Sequence, residues 1–315
     1  MTGVKPLALQ LCAFGPELEA GLGRMLDVVR WFELGAEQQA SMLASRAGEV
    51  RSVITGGHIG CPSDLMSALP GLGLIAINGV GYDKVDLELA AARGVRVSTT
   101  PDVLTTDVAD LAVGLTIDLM RGITLADRHV RDGKWPEGDR PLMHRVSGRR
   151  FGVVGLGRIG RATADRLAPF GSVRYHGPLP KDAPFAFEAS IHELARWADV
   201  LVLTCQANEA TRGLIDSDVL AALGPDGFLV NVARGSVVDE PALIQAIREH
   251  KIAGAALDVF AHEPHVPSEL IASDRVVLTP HIASASTECR AAMRELVLDN
   301  VRAFLAGHPL PSAIV

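Results

Sequence analysis

Short apolar runs rich in β-branched residues recur along the chain and alternate with stretches of helical periodicity. Residues 6–14 read as a first strand and 17–29 as a helix. Runs at 52–55 and 74–78 predict two more strands, with a helix near 64–69 between them. A helix at 86–93 is ended by Gly94, and a strand at 95–98 follows. Thr105-Thr106-Asp107 is a good helix start, and Val108, Leu111, Ala112, Leu115 and Leu119 then share one apolar stripe. The polar stretch 136–145 predicts an irregular loop. Beyond it, runs at 151–154, 173–175, 199–204, 228–232, 253–257 and 276–279 predict a second set of strands. Helices are expected at 216–223 and from Asp239-Glu240-Pro241, with the proline in the first turn. Ser286 or Thr287 starts a long helix whose inward face carries Met293, Leu296, Val297, Val301 and Leu305, and Gly307 and Pro309 end it. Strands alternating with helices predict an α/β fold of parallel sheets covered on both faces.

One stretch stands out, Arg150 to Gly171. An apolar strand runs into Gly155-Leu156-Gly157-Arg158-Ile159-Gly160, and a helical rhythm follows. That order makes G-x-G-x-x-G a dinucleotide fingerprint rather than a chance glycine turn. Gly155 permits the tight turn, Gly157 lets the backbone approach a pyrophosphate, and Gly160 lets helix and strand pack closely. The unpaired amides and positive dipole end of the helix then hold the phosphates. An acid normally follows the next strand and binds the ribose of NAD. Here that strand ends in Tyr175-His176-Gly177-Pro178, and the first acid is Asp182. With Arg174 and Lys181 nearby, the reading leans to NADP(H) over NAD(H).

Composition excludes several classes. The 315 residues suit two domains, and 48% hydrophobic with 21% charged residues fits a globular enzyme. A formal charge of -7 without a basic block argues against nucleic acid and anionic membranes as partners. Cys12, Cys61, Cys205 and Cys289 lie far apart, so neither a disulfide framework nor a metal site is expected; they read as small buried hydrophobes in a reducing compartment. The first residues lack a basic leader pattern and a spanning run, which predicts a cytoplasmic protein. Gly79-Val80-Gly81-Tyr82-Asp83 follows a strand end, where an α/β sheet presents ligands, and reads equally well as a plain turn.

Arg234, Glu263 and His281 each fall just past a predicted strand of the second set. Singly, each reads as a surface charge, a loop acid or a packed histidine. Together they form a proton-transfer group: the imidazole exchanges a proton with a substrate oxygen, a neighbouring carboxylate favours the imidazolium, and a guanidinium holds a carbonyl and an adjacent carboxylate.

At these residues the chain resembles the D-isomer-specific 2-hydroxyacid dehydrogenase family. The fingerprint, Asn231-Val232-Ala233-Arg234-Gly235, Asp258-Val259-Phe260 with Glu263-Pro264, and Pro280-His281-Ile282-Ala283-Ser284 match its motifs in order. Asn78 to Val85 and Thr99 to Leu104 are similar to the glyoxylate/hydroxypyruvate and hydroxyphenylpyruvate reductase branch, although His176-Gly177-Pro178 departs from its usual Ser or Thr with Arg. The resemblance implies a Rossmann doubly wound sheet over residues 101–286 and a smaller flavodoxin-like substrate domain from 1–100 and 287–315, with substrate in the cleft between. It implies Arg234 as substrate-binding, His281 as the acid/base, Glu263 as its partner, and Val80 and Gly81 amides on the substrate carboxylate. Asp258 would lie against the nicotinamide carboxamide. Other cofactor contacts are implied at His176, Gly177, Cys205, Thr211, Val232, Ala233 and Ala283. The implied reaction is reduction of small 2-oxo acids to D-2-hydroxy acids by a homodimer. Alternatives are a phosphoglycerate dehydrogenase-like or hydroxyphenylpyruvate-type reductase, or a dinucleotide-sensing corepressor-like binding protein. Trp135 is expected in the core on base rates, with reach into a partner's cleft as the alternative.

Overall fold

A computed structural model describes residues 4–315. The chain divides into two compact units, Met1–Leu104 with Thr287–Val315, and Thr105–Ser286. The first holds a parallel sheet of β1 (Leu7–Gln10), β2 (Asp27–Arg30), β3 (Val50–Gly56), β4 (Leu74–Asn78) and β5 (Arg96–Ser98), ordered β2-β1-β3-β4-β5, the flavodoxin-like order. Apart from the edge strand β2, its strands are buried on both faces, and neighbouring residues divide between them. Leu7, Leu9, Val53, Ile75 and Ile77 pack with the helices Ser63–Ala68 and Leu87–Ala92. Ala8, Ile54, Leu74 and Ala76 pack with the helices Pro16–Met25 and Thr287–Leu305. The long helix buries Met293, Val297, Leu298 and Val301, whereas Leu305 at its end is exposed.

The second unit holds β6 (Arg149–Val154), β7 (Gly171–His176), β8 (Ala186–Phe187), β9 (Val200–Leu203), β10 (Phe228–Asn231), β11 (Gly254–Leu257) and β12 (Val276–Leu278). All pairs are parallel, in the order β12-β11-β10-β9-β6-β7-β8. The order reverses between β6 and β9. That is the doubly wound Rossmann pattern, and ligands sit at the carboxyl ends beside such a reversal. Asp216 and Asp239 cap the helices Ser217–Leu223 and Glu240–Arg248 by accepting backbone N–H bonds, as their sequence positions predict.

Several features depart from the sequence reading, among them the helix Ile191–Trp197, which is capped by Ser190, buries Ile191, Leu194 and Ala195, and was not expected. The helix expected over 17–29 stops at Met25, and Leu26 turns extended so that β2 can pair with β1, Ala8 opposite Val28. The adjacent valines favour a strand once an edge is open to them. The helix Ala36–Arg46 was not signalled, because it buries no residue fully and offers only Met42 and Leu43 to the core. Nor was the helix Ile123–Arg131. Trp135 is not in the core: it lies in a short turn, Trp135–Glu137, and is 62% exposed. Of the cysteines, Cys61 and Cys289 are buried and Cys12 and Cys205 half-buried, all as free thiols.

Leu22 is fully enclosed between the first helix, the sheet and the returning helix. Leu22→Ala is expected to destabilise the protein by about 3 kcal/mol, measured by urea unfolding.

Candidate active site

The glycine turn sits at the carboxyl end of β6. Gly155 has φ +92°, and a Cβ there would lie 2.5 Å from the Cα of Cys205. A Cβ at Gly160 would lie 1.9 Å from the carbonyl oxygen of Gly155, so helix Arg158–Leu167 lies directly on the turn. A Cβ at Gly157 would meet nothing within 4 Å. Gly157 is the N-cap and brings no side chain to the first-turn amides. Close packing at two glycines and open space at the third fit a pyrophosphate at this helix end. Leu156 is buried behind the turn, while Arg158 and Ile159 form the first helical turn.

The adenosine side is less open than the sequence implies. His176 ends β7 with Nδ1 3.0 Å from the carbonyl oxygen of Glu188, and its own carbonyl accepts from Gly155 N at 2.8 Å. The Arg174 guanidinium lies 3.9 Å from the Glu188 carboxylate and 4.5 Å from the Trp197 ring centroid, so it is already engaged. Lys181 is tied through its backbone to the Tyr175 hydroxyl. A Cβ at Gly177 would meet nothing within 4 Å. Cys205 follows β9 against the glycine turn, where burial pushes its thiol up to about 11. Thr211 ties its loop together, donating from Oγ1 to Gln206 O at 2.8 Å.

Arg234, Glu263 and His281 follow β10, β11 and β12, three adjacent strands of this unit. Asn231 builds the first turn. Its Oδ1 accepts from Ala233 N at 3.0 Å and its Nδ2 donates to Arg234 O at 3.0 Å, while Arg234 Nη1 donates to Ala233 O at 2.8 Å. Gly235 follows because a Cβ would lie 2.0 Å from the carbonyl carbon of Phe260. Val232 and Ala233 are buried in this turn. Glu263 is set by its own loop, its Oε1 accepting from Phe260 N at 3.1 Å. Its Oε2 is 2.8 Å from His281 Nδ1. With a carboxylate on Nδ1, that nitrogen carries the proton, and Nε2 is the reactive end of the ring.

Asp258 holds the histidine loop. Its Oδ1 accepts from Thr279 Oγ1 at 2.7 Å and Ile282 N at 2.8 Å, and its Oδ2 from Ala283 N at 3.0 Å. Its carbonyl accepts from His281 N at 2.9 Å. His281 itself is left-handed, φ +53°. Asp258 is fully enclosed, so its carboxylate is spent on the loop, and Oδ2 alone keeps a lone pair to spare. Sequence reasoning named Asp258 for a ligand contact and missed Asn231 and Thr279 as positioning residues; the motif around Asn231 and the polar residue ending β12 were their signals.

Val80 and Gly81 lie in the other unit, in the turn after β4. Both are half-buried, and neither amide finds an acceptor among the described residues. Among the described residues no group of three His, Cys, Asp or Glu side chains is placed to hold a metal ion, and no helix is long and apolar enough to cross a membrane.

The profile described as "D-isomer specific 2-hydroxyacid dehydrogenase, NAD binding domain" matches residues 113–283. Glyoxylate/hydroxypyruvate reductase A of Arabidopsis thaliana is 40% identical over 309 residues, 98% of each chain. The 2-ketogluconate reductase of Gluconobacter oxydans is 42% identical over 275 residues, 87% of this chain and 89% of the relative. Among solved structures, an NADPH-dependent glyoxylate/hydroxypyruvate reductase from Sinorhizobium meliloti, in complex with NADP and malonate, is 38% identical with a TM-score of 0.90, covering 99% of this chain and 97% of that one.

Asp258→Ala orphans the buried amide of Ala283 and the part-buried amide of Ile282. It is expected to cost about 2 kcal/mol of stability and to speed hydrogen exchange at those two amides relative to the rest of the unit.

Proposed function

Because the chain belongs to the D-isomer specific 2-hydroxyacid dehydrogenase family and is an oxidoreductase, we propose that it reduces small 2-oxo acids to D-2-hydroxy acids, glyoxylate and hydroxypyruvate foremost. The observation that carries this reading is the 2.8 Å contact of His281 Nδ1 with Glu263 Oε2, at a strand end next to that of Arg234. Glu263 fixes ring orientation and tautomer, so that His281 Nε2 delivers a proton to the substrate's C2 oxygen. Arg234, its turn stiffened by Asn231, binds the 2-oxo group and the adjacent carboxylate. The amides of Val80 and Gly81 also receive that carboxylate. The glycine turn and the first turn of the helix Arg158–Leu167 hold the dinucleotide's phosphates, with His176, Gly177, Cys205, Thr211, Val232, Ala233 and Ala283 as further contacts. When bound, the nicotinamide supplies the hydride. Asp258 keeps the His281 loop in place and has one lone pair left for a carboxamide.

NADP(H) is proposed over NAD(H), because no acid follows β7 before Asp182. The residues of the first unit form the substrate domain and those of the second the dinucleotide domain. We also propose a homodimer. Ile123, Val130, Trp135, Leu142 and Met143 are all exposed apolar residues of one segment of the second unit. The segment folds back on itself: His144 N donates to Met120 O at 2.9 Å, and Arg140 Nη1 approaches Leu125 O at 3.4 Å. A second copy would cover that face. Four free thiols accord with a cytoplasmic location.

His281→Ala is expected to lower kcat by at least about 100-fold while dinucleotide binding, followed by fluorescence titration, survives. Near wild-type turnover in this variant would overturn the assignment. Oxidation of NADPH and NADH measured in parallel with glyoxylate and hydroxypyruvate is expected to favour NADPH, and an NADH preference would refute the cofactor reading. Sedimentation equilibrium is expected to give a dimer for the native chain, and monomers for Ile123→Asp with Val130→Asp.

A further inference from the structure

The helix Glu240–Arg248 is preceded and begun by adjacent acids, and the two do different things. Asp239 is the N-cap, its Oδ1 accepting from Ala242 N at 3.1 Å. Glu240 stands one position on, half-buried, and its carboxylate reaches another loop. Its Oε2 accepts from Ala261 N at 3.2 Å, a contact across 21 residues of chain. Ala261 belongs to the loop that carries Glu263, so this acid touches the neighbourhood of the proton-transfer pair without belonging to it.

β10 and β11 run side by side as far as Asn231 opposite Leu257, and Asp258 N then donates to Asn231 O at 3.0 Å. Beyond that rung the first chain turns through Arg234 into the short helix Gly235–Val237, while the second runs on to Glu263. Other contacts must hold the two in register there. A Cβ at Gly235 would lie 2.0 Å from the carbonyl carbon of Phe260 and 2.4 Å from Ala261 N, so backbone packs on backbone. The Glu240 carboxylate takes the amide of the same Ala261. The residue before it, Phe260, donates its amide to Glu263 Oε1 at 3.1 Å, and Glu263 Oε2 lies 2.8 Å from His281 Nδ1. Consecutive amides of one loop are thus held by two carboxylates, one from outside the loop and one from within it. The inner carboxylate faces the imidazole only while the backbone of Phe260 and Ala261 keeps its direction. Hydrogen bonds to an ionised acceptor are the stronger kind, and a small misplacement of reacting groups costs rate.

We propose that Glu240 is a positioning residue for the proton-transfer pair: its carboxylate pins the Ala261 amide and so sets the loop on which Glu263 meets His281. It thereby keeps that loop in register with the segment that begins at Arg234, past the end of the sheet. The inference rests on the 2-oxo acid reduction proposed above and adds a residue to its machinery.

The test compares Glu240→Ala and Glu240→Gln with the native chain. Glutamine keeps an oxygen acceptor and loses the charge, which separates the hydrogen bond from a favourable charge at a helix start. With whichever of glyoxylate and hydroxypyruvate the native protein turns over faster, kcat of Glu240→Ala is expected to fall about tenfold, with the Kd for NADPH within about twofold of native. Glu240→Gln should recover most of kcat. Amide hydrogen exchange followed by NMR reads the loop without turnover: in Glu240→Ala, exchange at Phe260 and Ala261 is expected to speed about tenfold relative to the rest of the unit. A native kcat in Glu240→Ala, or an equal loss in both variants, would overturn the proposal. So would native protection of the Phe260 amide in Glu240→Ala, or a rise in exchange spread over the whole unit, which marks plain destabilisation. If the native protein reduces neither acid, the reductase reading falls, while exchange at Phe260 still decides whether Glu240 sets the loop.

Discussion

The buried carboxylate of Asp258 is the interaction on which the candidate site depends. Burial pushes its carboxyl up from the ordinary value, and donors from Thr279, Ile282 and Ala283 pull it back. An enclosed charge is tolerated only when hydrogen-bonded in this way. What it secures is a histidine in a backbone conformation that side chains seldom adopt, at a cost of about 1–3 kcal/mol. The strain holds because both the carboxylate and the carbonyl of one residue grip the loop on either side of it. Glu263 then needs to orient only a ring whose backbone is already fixed.

The glycine turn works by the opposite means. There, position comes from side chains left out. Gly155 and Gly160 allow backbone to touch backbone, and Gly157 keeps the helix end uncovered. The first sheet repeats the device at Gly57 and Gly60, where a Cβ would lie 2.7 Å from Gly81 O and 2.2 Å from Lys84 O, so that the loops after β3 and β4 meet closely. Each edge is thus rigid where loops cross and open where a ligand would lie, which is the arrangement that pre-organises binding.

Much of this was legible in the sequence because the strands are buried on both faces and read as continuous apolar runs. The fingerprint, the three strand-end residues and the capping aspartates are short-range signals, and they fell where expected. The misses have separate physical causes. β2 is an exposed edge strand whose pairing partner is set by tertiary contact, so local rhythm extended the preceding helix through it. The helices Ala36–Arg46 and Ile123–Arg131 fully bury no residue: the first offers only Met42 and Leu43 to the core, and the short apolar row of the second, Ile123, Ala126 and Val130, faces outward. Trp135 followed a base rate for tryptophan, which says nothing of a short exposed turn. The engagement of the Arg174 cation with Glu188 and Trp197 was not legible, because it joins residues well separated in the chain.

The helix Thr287–Leu305 closes one face of a sheet whose strands all lie in the first third of the chain. The second unit is one continuous segment and can complete its core as soon as Ser286 has emerged from the ribosome. The first unit cannot: the helix Pro16–Met25 covers Ala8, Ile54 and Leu74 only in part, and that face is completed when Val297, Leu298 and Val301 arrive. Synthesis therefore runs against the order of the chain, the middle maturing before the beginning. Part of an apolar sheet face waits exposed through most of translation, which makes the nascent first unit the segment that most needs chaperone cover.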